Sequence, residues 1–282
     1  LKALPFNIPK PKNESLVFQI DREHIFYEQF HQHEEIQISY IVRGTGTLIV
    51  GDSINEFNSG DILIIGGLIP HVFKSEPIND DDSEMFTLFF AKNSFGNEFF
   101  NLPDLVATKS FFEKAEMGAK VISHKSEIIE WFQKLPNSDK IEQLGILLKI
   151  LDTISKARTS RLSNFIYKKS YTDIEGKRMG DVLKFVMDHY SEQITLEQIS
   201  DEAHLSKNAF CRYFKKRTNK TFFQFLIEIR IENACKLLVN EPERAITSIC
   251  EQCGFNNMAN FNRKFKALKG CTPSNYRHKF TN

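Results

Sequence analysis

Ala209-Phe210-Cys211-Arg212-Tyr213-Phe214-Lys215 and Asn260-Phe261-Asn262-Arg263-Lys264-Phe265-Lys266 are the two stretches whose comparison decides the fold of the C-terminal part. At an offset of 51, Phe210 aligns with Phe261, Arg212 with Arg263, Phe214 with Phe265, Lys215 with Lys266 and Thr221 with Thr272. A repeat at a fixed offset means one supersecondary unit used twice. Phenylalanines four apart share one face of a helix, so each stretch predicts a buried stripe with polar residues opposite it. Ahead of each lies a shorter apolar pattern, Leu196, Ile199 and Ala203 in the first copy and Ile246, Ile249, Cys250 and Cys253 in the second. Two short helices in this arrangement have the texture of a helix-turn-helix, which lays its second helix in the DNA major groove.

The expected boundaries follow from cap residues. Asp181 to Tyr190 reads as one helix, Thr195 caps the next, and Ser206 caps a helix through about Thr218. In the second copy Gly254 ends the scaffold helix, and Asn256 or Asn257 caps the helix bearing Phe261 and Phe265. The scaffold offset from Ile199 to Ile249 is 50, so the second turn is one residue longer. Between the copies, Phe222 to Val239 is expected to be a helix, with Phe225, Leu226, Ile229, Ala234, Leu237 and Leu238 on helical spacing. Its ~18 residues span about 27 Å. That length suits two reading helices about one DNA turn apart, near 34 Å.

Working outward, 282 residues suit two domains. No run of about 18 apolar residues occurs, so no transmembrane helix is expected. Leu1 to Lys12, with three prolines and no long apolar core, does not resemble a secretory signal, and the chain opens on Leu1 rather than Met. Residues 1–170 hold 19 Lys+Arg against 23 Asp+Glu, net −4, whereas 171–282 hold 18 against 13, net +5. A mildly basic C-terminal part suits contact with phosphate. All five cysteines, Cys211, Cys235, Cys250, Cys253 and Cys271, fall there. Their odd number and lack of paired spacing point to the cytoplasm. Cys250 and Cys253 form a C-x-x-C without a second pair, so they read as small buried residues rather than a zinc or redox site.

From Phe18 to about Phe90 the chain alternates and turns often, which predicts short strands in a sandwich or barrel. Strands are expected at 36–42, 47–50, 62–65 and 85–91, broken by Gly44, Gly46, Gly51-Asp52 and Gly60-Asp61. The texture then becomes helical. Ile128, Ile129, Trp131, Phe132 and Leu135 end at Pro136-Asn137, and Ser138 or Asp139 caps a helix to about Ala157. Its stripe of Ile141, Leu144, Leu147, Leu148, Leu151 and Ile154 is core or, alternatively, a dimerisation seam. Polar residues 158–178 read as a linker. The expected class is α+β: residues 1–157 a β-barrel with following helices, and 179–282 an all-α domain with two helix-turn-helix motifs.

At this point the residues match a family. Leu205–Lys215, Arg230–Leu238, Cys253-Gly254-Phe255, Phe261–Lys266 and Thr272–Arg277 together resemble the AraC/XylS class of bacterial transcription regulators. The resemblance implies base contacts from Asn208, Cys211 and Arg212 in the first copy, and from Met258, Asn262 and Arg263 in the second. Arginine can donate a bidentate pair to guanine, and asparagine can pair with adenine by accepting from N6 and donating to N7, while Cys211 and Met258 suit apolar contact. Ser206, Lys207, Lys215, Lys216, Asn256, Asn257 and Lys264 are candidates for phosphate contact. Double-stranded promoter DNA, RNA polymerase, a small-molecule effector and a homodimer are the implied partners, with Leu144, Leu147, Leu148, Leu151 and Ile154 the candidate seam.

His31-Gln32-His33, Gln37, Gly44, Gly60 and His71 resemble the two cupin motifs, and regulators of this class often carry a cupin-like N-terminal barrel. Enzymatic cupins place a glutamate where Gln37 stands, so no resident metal and no cofactor are expected, although three neutral imidazoles can bind zinc. The candidate effector pocket is His31, His33, Gln37, Tyr40, His71 and Phe73, with Phe30, Phe57 and Phe86 as further aromatic lining. The function implied is a sequence-specific, effector-responsive transcription regulator and not an enzyme. The alternatives are a metal-dependent cupin enzyme with an accessory DNA-binding domain, and a constitutive dimeric regulator.

Overall fold

The computed structural model describes residues 14–26, 29–76, 82–167 and 170–281. The first thirteen residues, read above for a signal, lie outside them. The chain divides into two compact units that meet between Gly176 and Lys177.

In the first unit the strands are β1 (Val17–Glu23), β2 (Ile36–Arg43), β3 (Thr45–Val50), β4 (Ser53–Phe57), β5 (Ile62–Ile65), β6 (His71–Glu76), β7 (Ser83–Phe90), β8 (Ala119–Val121) and β9 (Thr159–Arg161). They form an antiparallel sheet of order β1-β7-β2-β5-β8-β9 and a smaller sheet β4-β3-β6. Side chains alternate faces along a strand, and here that parity sorts two cores. Ile41, Leu63, Ile65 and Met85 from the large sheet meet Leu48, Val50, Phe57 and Phe73 from the small one. Ile36, Ile38, Tyr40, Ile62, Ile64, Phe86, Leu88 and Phe90 point the other way, toward the helices.

Those helices are α1 (Lys109–Ala115), α2 (Lys125–Lys134) and α3 (Lys140–Lys156). Asp139, not Ser138, starts α3: its carboxylate accepts from the backbone N–H of Ile141 and Glu142, and Glu142 accepts from Asp139 N. This reciprocal box satisfies donors that a helix start leaves unpaired. The stripe considered as a dimer seam is, apart from the exposed Ile141, occupied within this unit. Leu147, Leu151 and Ile154 are fully buried, and Leu144 and Leu148 pack against the same cluster. They are core, because the outer face of the large sheet is apolar and needs a cover.

The segment 158–178 also differs from the expected linker. Thr159–Arg161 pairs with β8, and Leu162 and Tyr167 are buried in the intersheet core. The helix expected from Asp181 begins at Asp173, as α4 (Asp173–His189). Thr172 and Glu175 box its start: Glu175 N donates to Thr172 Oγ1 and Thr172 N to Glu175 Oε2.

The second unit continues with α5 (Leu196–Glu202), α6 (Lys207–Thr218), α7 (Phe222–Asn240), α8 (Ile246–Gln252), α9 (Met258–Lys269) and α10 (Pro273–Thr281). Helix α7 serves both copies with one half each. Phe222 and Phe225 pack edge to face on Phe210 and Phe214. Ile231, Ala234, Cys235 and Leu238 close the second core with Ile249, Cys253, Phe255, Phe261 and Phe265.

Candidate nucleic-acid interface and sensor cluster

The repeated helices match in length: α5 and α8 have seven residues each, α6 and α9 twelve each. The register holds at an offset of 50 through the turn, since Leu205 N donates to Ser200 O and Phe255 N to Cys250 O. The extra residue of the second turn is therefore Asn256. Ser206 and Asn257 then cap the twelve-residue helices by accepting from Ala209 N and Asn260 N.

Burying the two phenylalanines of each helix turns the intervening side chains outward. Asn208, Cys211, Arg212, Asn262 and Arg263 are exposed, as are Ser206, Lys207, Lys215, Lys216, Asn256 and Asn257. Lys264 is half-buried, and Lys207 pairs with Glu197. Met258 differs from the others, being half-buried against the second core, which leaves less of it for a base edge. One residue passed over in the sequence belongs to this face. Asn260 Oδ1 accepts from Arg263 Nη2 at 2.9 Å, holding the guanidinium one turn from the helix start. An asparagine three residues before an arginine was the available signal. Asn256, Asn257 and Asn260 also border a cavity of about 250 Å³ beside Phe223 and Leu226 of α7.

The second turn is braced from behind. Arg230 donates to Tyr190 O and Glu192 O, each at 2.7 Å, and lies over the Phe255 ring. Burial lowers its pKa, partly offset by Cys253. Cys250 and Cys253 are both buried; burial, and then the neighbouring Cys250, push the Cys253 thiol up to about 12. A thiol so protonated at neutral pH is neither a nucleophile nor a ready metal ligand.

In the first unit, His31, His33 and His71 come together with their ligand atoms within 4.8 Å of one another, all buried. A bridge between His31 and His71 joins the segment before β2 to β6, with backbone bonds of 3.0 and 2.8 Å. Gln37 joins them: its Oε1 lies 3.1 Å from Nε2 of both His33 and His71. Phe73 borders His71 in the same core. Tyr40 does not belong to this group. Three residues from Gln37 along one strand, it faces the helices, against Phe86 and Phe132. Phe86 shares that face, so neither lines the space between the sheets.

With this geometry in view, the relatives of the chain are informative. Residues 199–279 match the model of a helix-turn-helix domain. A helix-turn-helix-type transcriptional regulator of Bacillus subtilis (strain 168), YdeC, is 27% identical over 266 residues, covering 89% of this chain and 86% of its own. One from Staphylococcus aureus (strain COL), SACOL0084, is 23% identical over 88% of this chain, which spans only 32% of that longer protein. Among solved structures, ToxT from Vibrio cholerae O395 aligns over 95% of this chain and 99% of its own, at 16% identity and a TM-score of 0.40. The chain is a DNA-binding transcription regulator of the helix-turn-helix type. Its C-terminal unit carries the match to the helix-turn-helix domain model, as two helix-turn-helix copies sharing one connecting helix.

Proposed function

We propose that α6 and α9 read base edges in an asymmetric promoter site, under the control of a small effector held by the N-terminal unit. The observation that carries this is the pair Arg212 and Arg263, exposed at the same position of two equal helices. Both α6 and α9 pack against α7, whose 19 residues make it about 28 Å long. Around the arginines the readers differ: Asn208 and Cys211 in the first copy, Ala259 and Asn262 in the second. The two copies therefore select different bases. Lys207, Lys215, Lys216 and Lys264 set register through phosphate.

The effector site in this reading lies between the sheets, at His31, His33, Gln37, His71 and Phe73. A cytoplasmic homodimer that engages RNA polymerase completes it, the dimer forming through a face other than the α3 stripe. No catalytic residue is assigned, and the relatives described above carry the names of regulators.

The test begins with selecting genomic fragments that the protein binds. Arg212→Ala and Arg263→Ala are then compared on the selected site. Each should lose about 1–3 kcal/mol of discrimination at its own base pairs, at two separate places in the site. Unchanged discrimination in both variants would reject the proposed readout.

A further inference from the structure

We propose that Asn260 is a specificity-determining positioning residue of the second copy. It holds Arg263 in place to read a guanine, whereas Arg212 of the first copy has no such holder. The proposal rests on the reading of α6 and α9 as base-contacting helices. It adds which copy discriminates more strictly, and through which side chain.

The duplication supplies the control. Asn257 and Ser206 cap their helices by accepting from the backbone N–H three residues on, Asn260 N at 3.0 Å and Ala209 N at 3.4 Å. Asn260 and Ala209 are therefore equivalent, the third residues of α9 and α6, with their backbones tied in the same way. Arg263 and Arg212 follow three residues later, one turn along the same face. The copies differ in the side chain ahead of the arginine. Asn260 Oδ1 accepts from Arg263 Nη2 at 2.9 Å. Arginine only donates, which fixes the amide with its oxygen toward Nη2. The methyl group of Ala209 can accept nothing, and Arg212 has no hydrogen-bond or ion-pair partner among the described residues.

A guanidinium carries five N–H donors in one plane. Spending one Nη2 proton on Asn260 leaves enough donors for O6 and N7 of a guanine, the bidentate pair that distinguishes this base. Arginine has more rotamer freedom than most side chains, and freedom already removed in the unbound protein is not lost on binding. Order also sharpens choice. A held guanidinium cannot swing to an acceptor on the next base pair, so a wrong base leaves its donors unmatched. Arg212, unrestrained, can turn to such an acceptor or to a phosphate. The second copy is therefore the stricter reader. A neutral amide suits the task, because a carboxylate there would set negative charge against the phosphates.

The test uses the full chain and a DNA site it selects from the genome, with each base pair replaced in turn. Asn260→Ala should lower discrimination at the pair read by Arg263 by roughly three- to tenfold, the worth of one hydrogen bond. Other positions, and binding to unrelated DNA, should not change. In an Arg263→Ala background the same substitution should have no further effect at that pair. Ala209→Asn should raise discrimination at the pair read by Arg212 by a similar factor. Asn260→Asp keeps the acceptor, so it should preserve the discrimination while weakening binding to every sequence alike. Asn260 is exposed and its backbone cap survives each change, so these variants should fold as the wild type does.

Full discrimination in Asn260→Ala overturns the proposal. A loss at a pair that Arg263→Ala leaves untouched overturns it too, and means that Asn260 reads a base itself. An equal loss in the Arg263→Ala background does the same. If Asn260→Asp loses as much as Asn260→Ala, the acceptor oxygen has no role. No gain from Ala209→Asn overturns the claim that the bare methyl leaves Arg212 unrestrained. If Arg263→Ala changes nothing, the base reading by α9 fails and this inference with it. If Arg263→Ala loses the discrimination and Asn260→Ala does not, the reading stands and only the holder falls.

Discussion

The first helix-turn-helix opens its scaffold helix under Thr195, whose hydroxyl accepts from Gln198 N while Gln198 accepts from Thr195 N. The second opens at Ala245, with no side-chain cap. At the other end the asymmetry reverses. His204, with φ of 51°, stands where the second copy has Gly254, with φ of 77°. The same exchange recurs after the reading helices, where Asn219 at 53° matches Gly270 at 73°. A left-handed residue with a side chain costs about 1–2 kcal/mol that glycine avoids, and a missing N-cap costs about 1 kcal/mol. The first copy thus carries two left-handed residues with side chains, one after each of its helices, and the second copy one uncapped helix start. The fold tolerates both because the phenylalanine cores, not the ends, supply most of the stability.

The sharpest way to break the comparison is to remove those cores one at a time. Phe210→Ala and Phe261→Ala each delete a fully buried ring and should cost about 3–5 kcal/mol in denaturant unfolding. Similar losses are expected in both copies, since α7 closes both cores. A loss confined to one would show that the copies fold independently of α7.

Next in size is the turn. Gly254→Ala forces a left-handed alanine whose Cβ would lie 2.9 Å from Tyr190 O and 2.7 Å from Ser191 O. A loss of about 2 kcal/mol or more is expected by thermal unfolding. His204 is exposed, so His204→Gly should instead gain up to about 1 kcal/mol. Equal effects of opposite sign would mean that conformation alone matters. A larger loss at Gly254 would locate the difference in the packing against residues 190–192.

The caps should give the smallest changes. Thr195→Ala should cost about 1 kcal/mol, and Ala245→Asp should return a comparable amount to the second copy. Matching melting-temperature shifts of opposite sign are the expected result. No gain from Ala245→Asp would mean that the start of α8 is already satisfied by other means.

Much of the C-terminal unit was legible because a duplicated sequence supplies its own control. The offsets of 50 and 51 located the longer turn before any coordinates, leaving only the choice between Asn256 and Asn257 as cap. In the N-terminal unit the same kind of reasoning failed where two signals share one period. The stripe from Leu144 to Ile154 repeats at three and four whether it faces a sheet or a second subunit, and only the apolar outer face of the large sheet decides. The start of α4 was hidden by composition. Thr172-x-x-Glu175 is a capping box in plain sequence, but its polar surroundings resembled a linker. Tyr40 was misplaced for a simpler reason: an odd separation from Gln37 along a strand puts it on the opposite face. The grouping of His31, His33 and His71 came from the resemblance to the cupin motifs and not from spacing, because two of them lie between β1 and β2 and the third opens β6.

Helix α7 gives the second unit a property unlike anything its side chains provide. A helix adds length and angle together, about 1.5 Å and 100° for every residue inserted. Substitutions along α7 can be absorbed by repacking, but a one-residue insertion would swing one reader away from the direction of the other. Seven residues, close to two full turns, would restore the direction and lengthen the span by about 10 Å. The separation of the readers is therefore counted in whole residues, and its evolution must proceed by jumps.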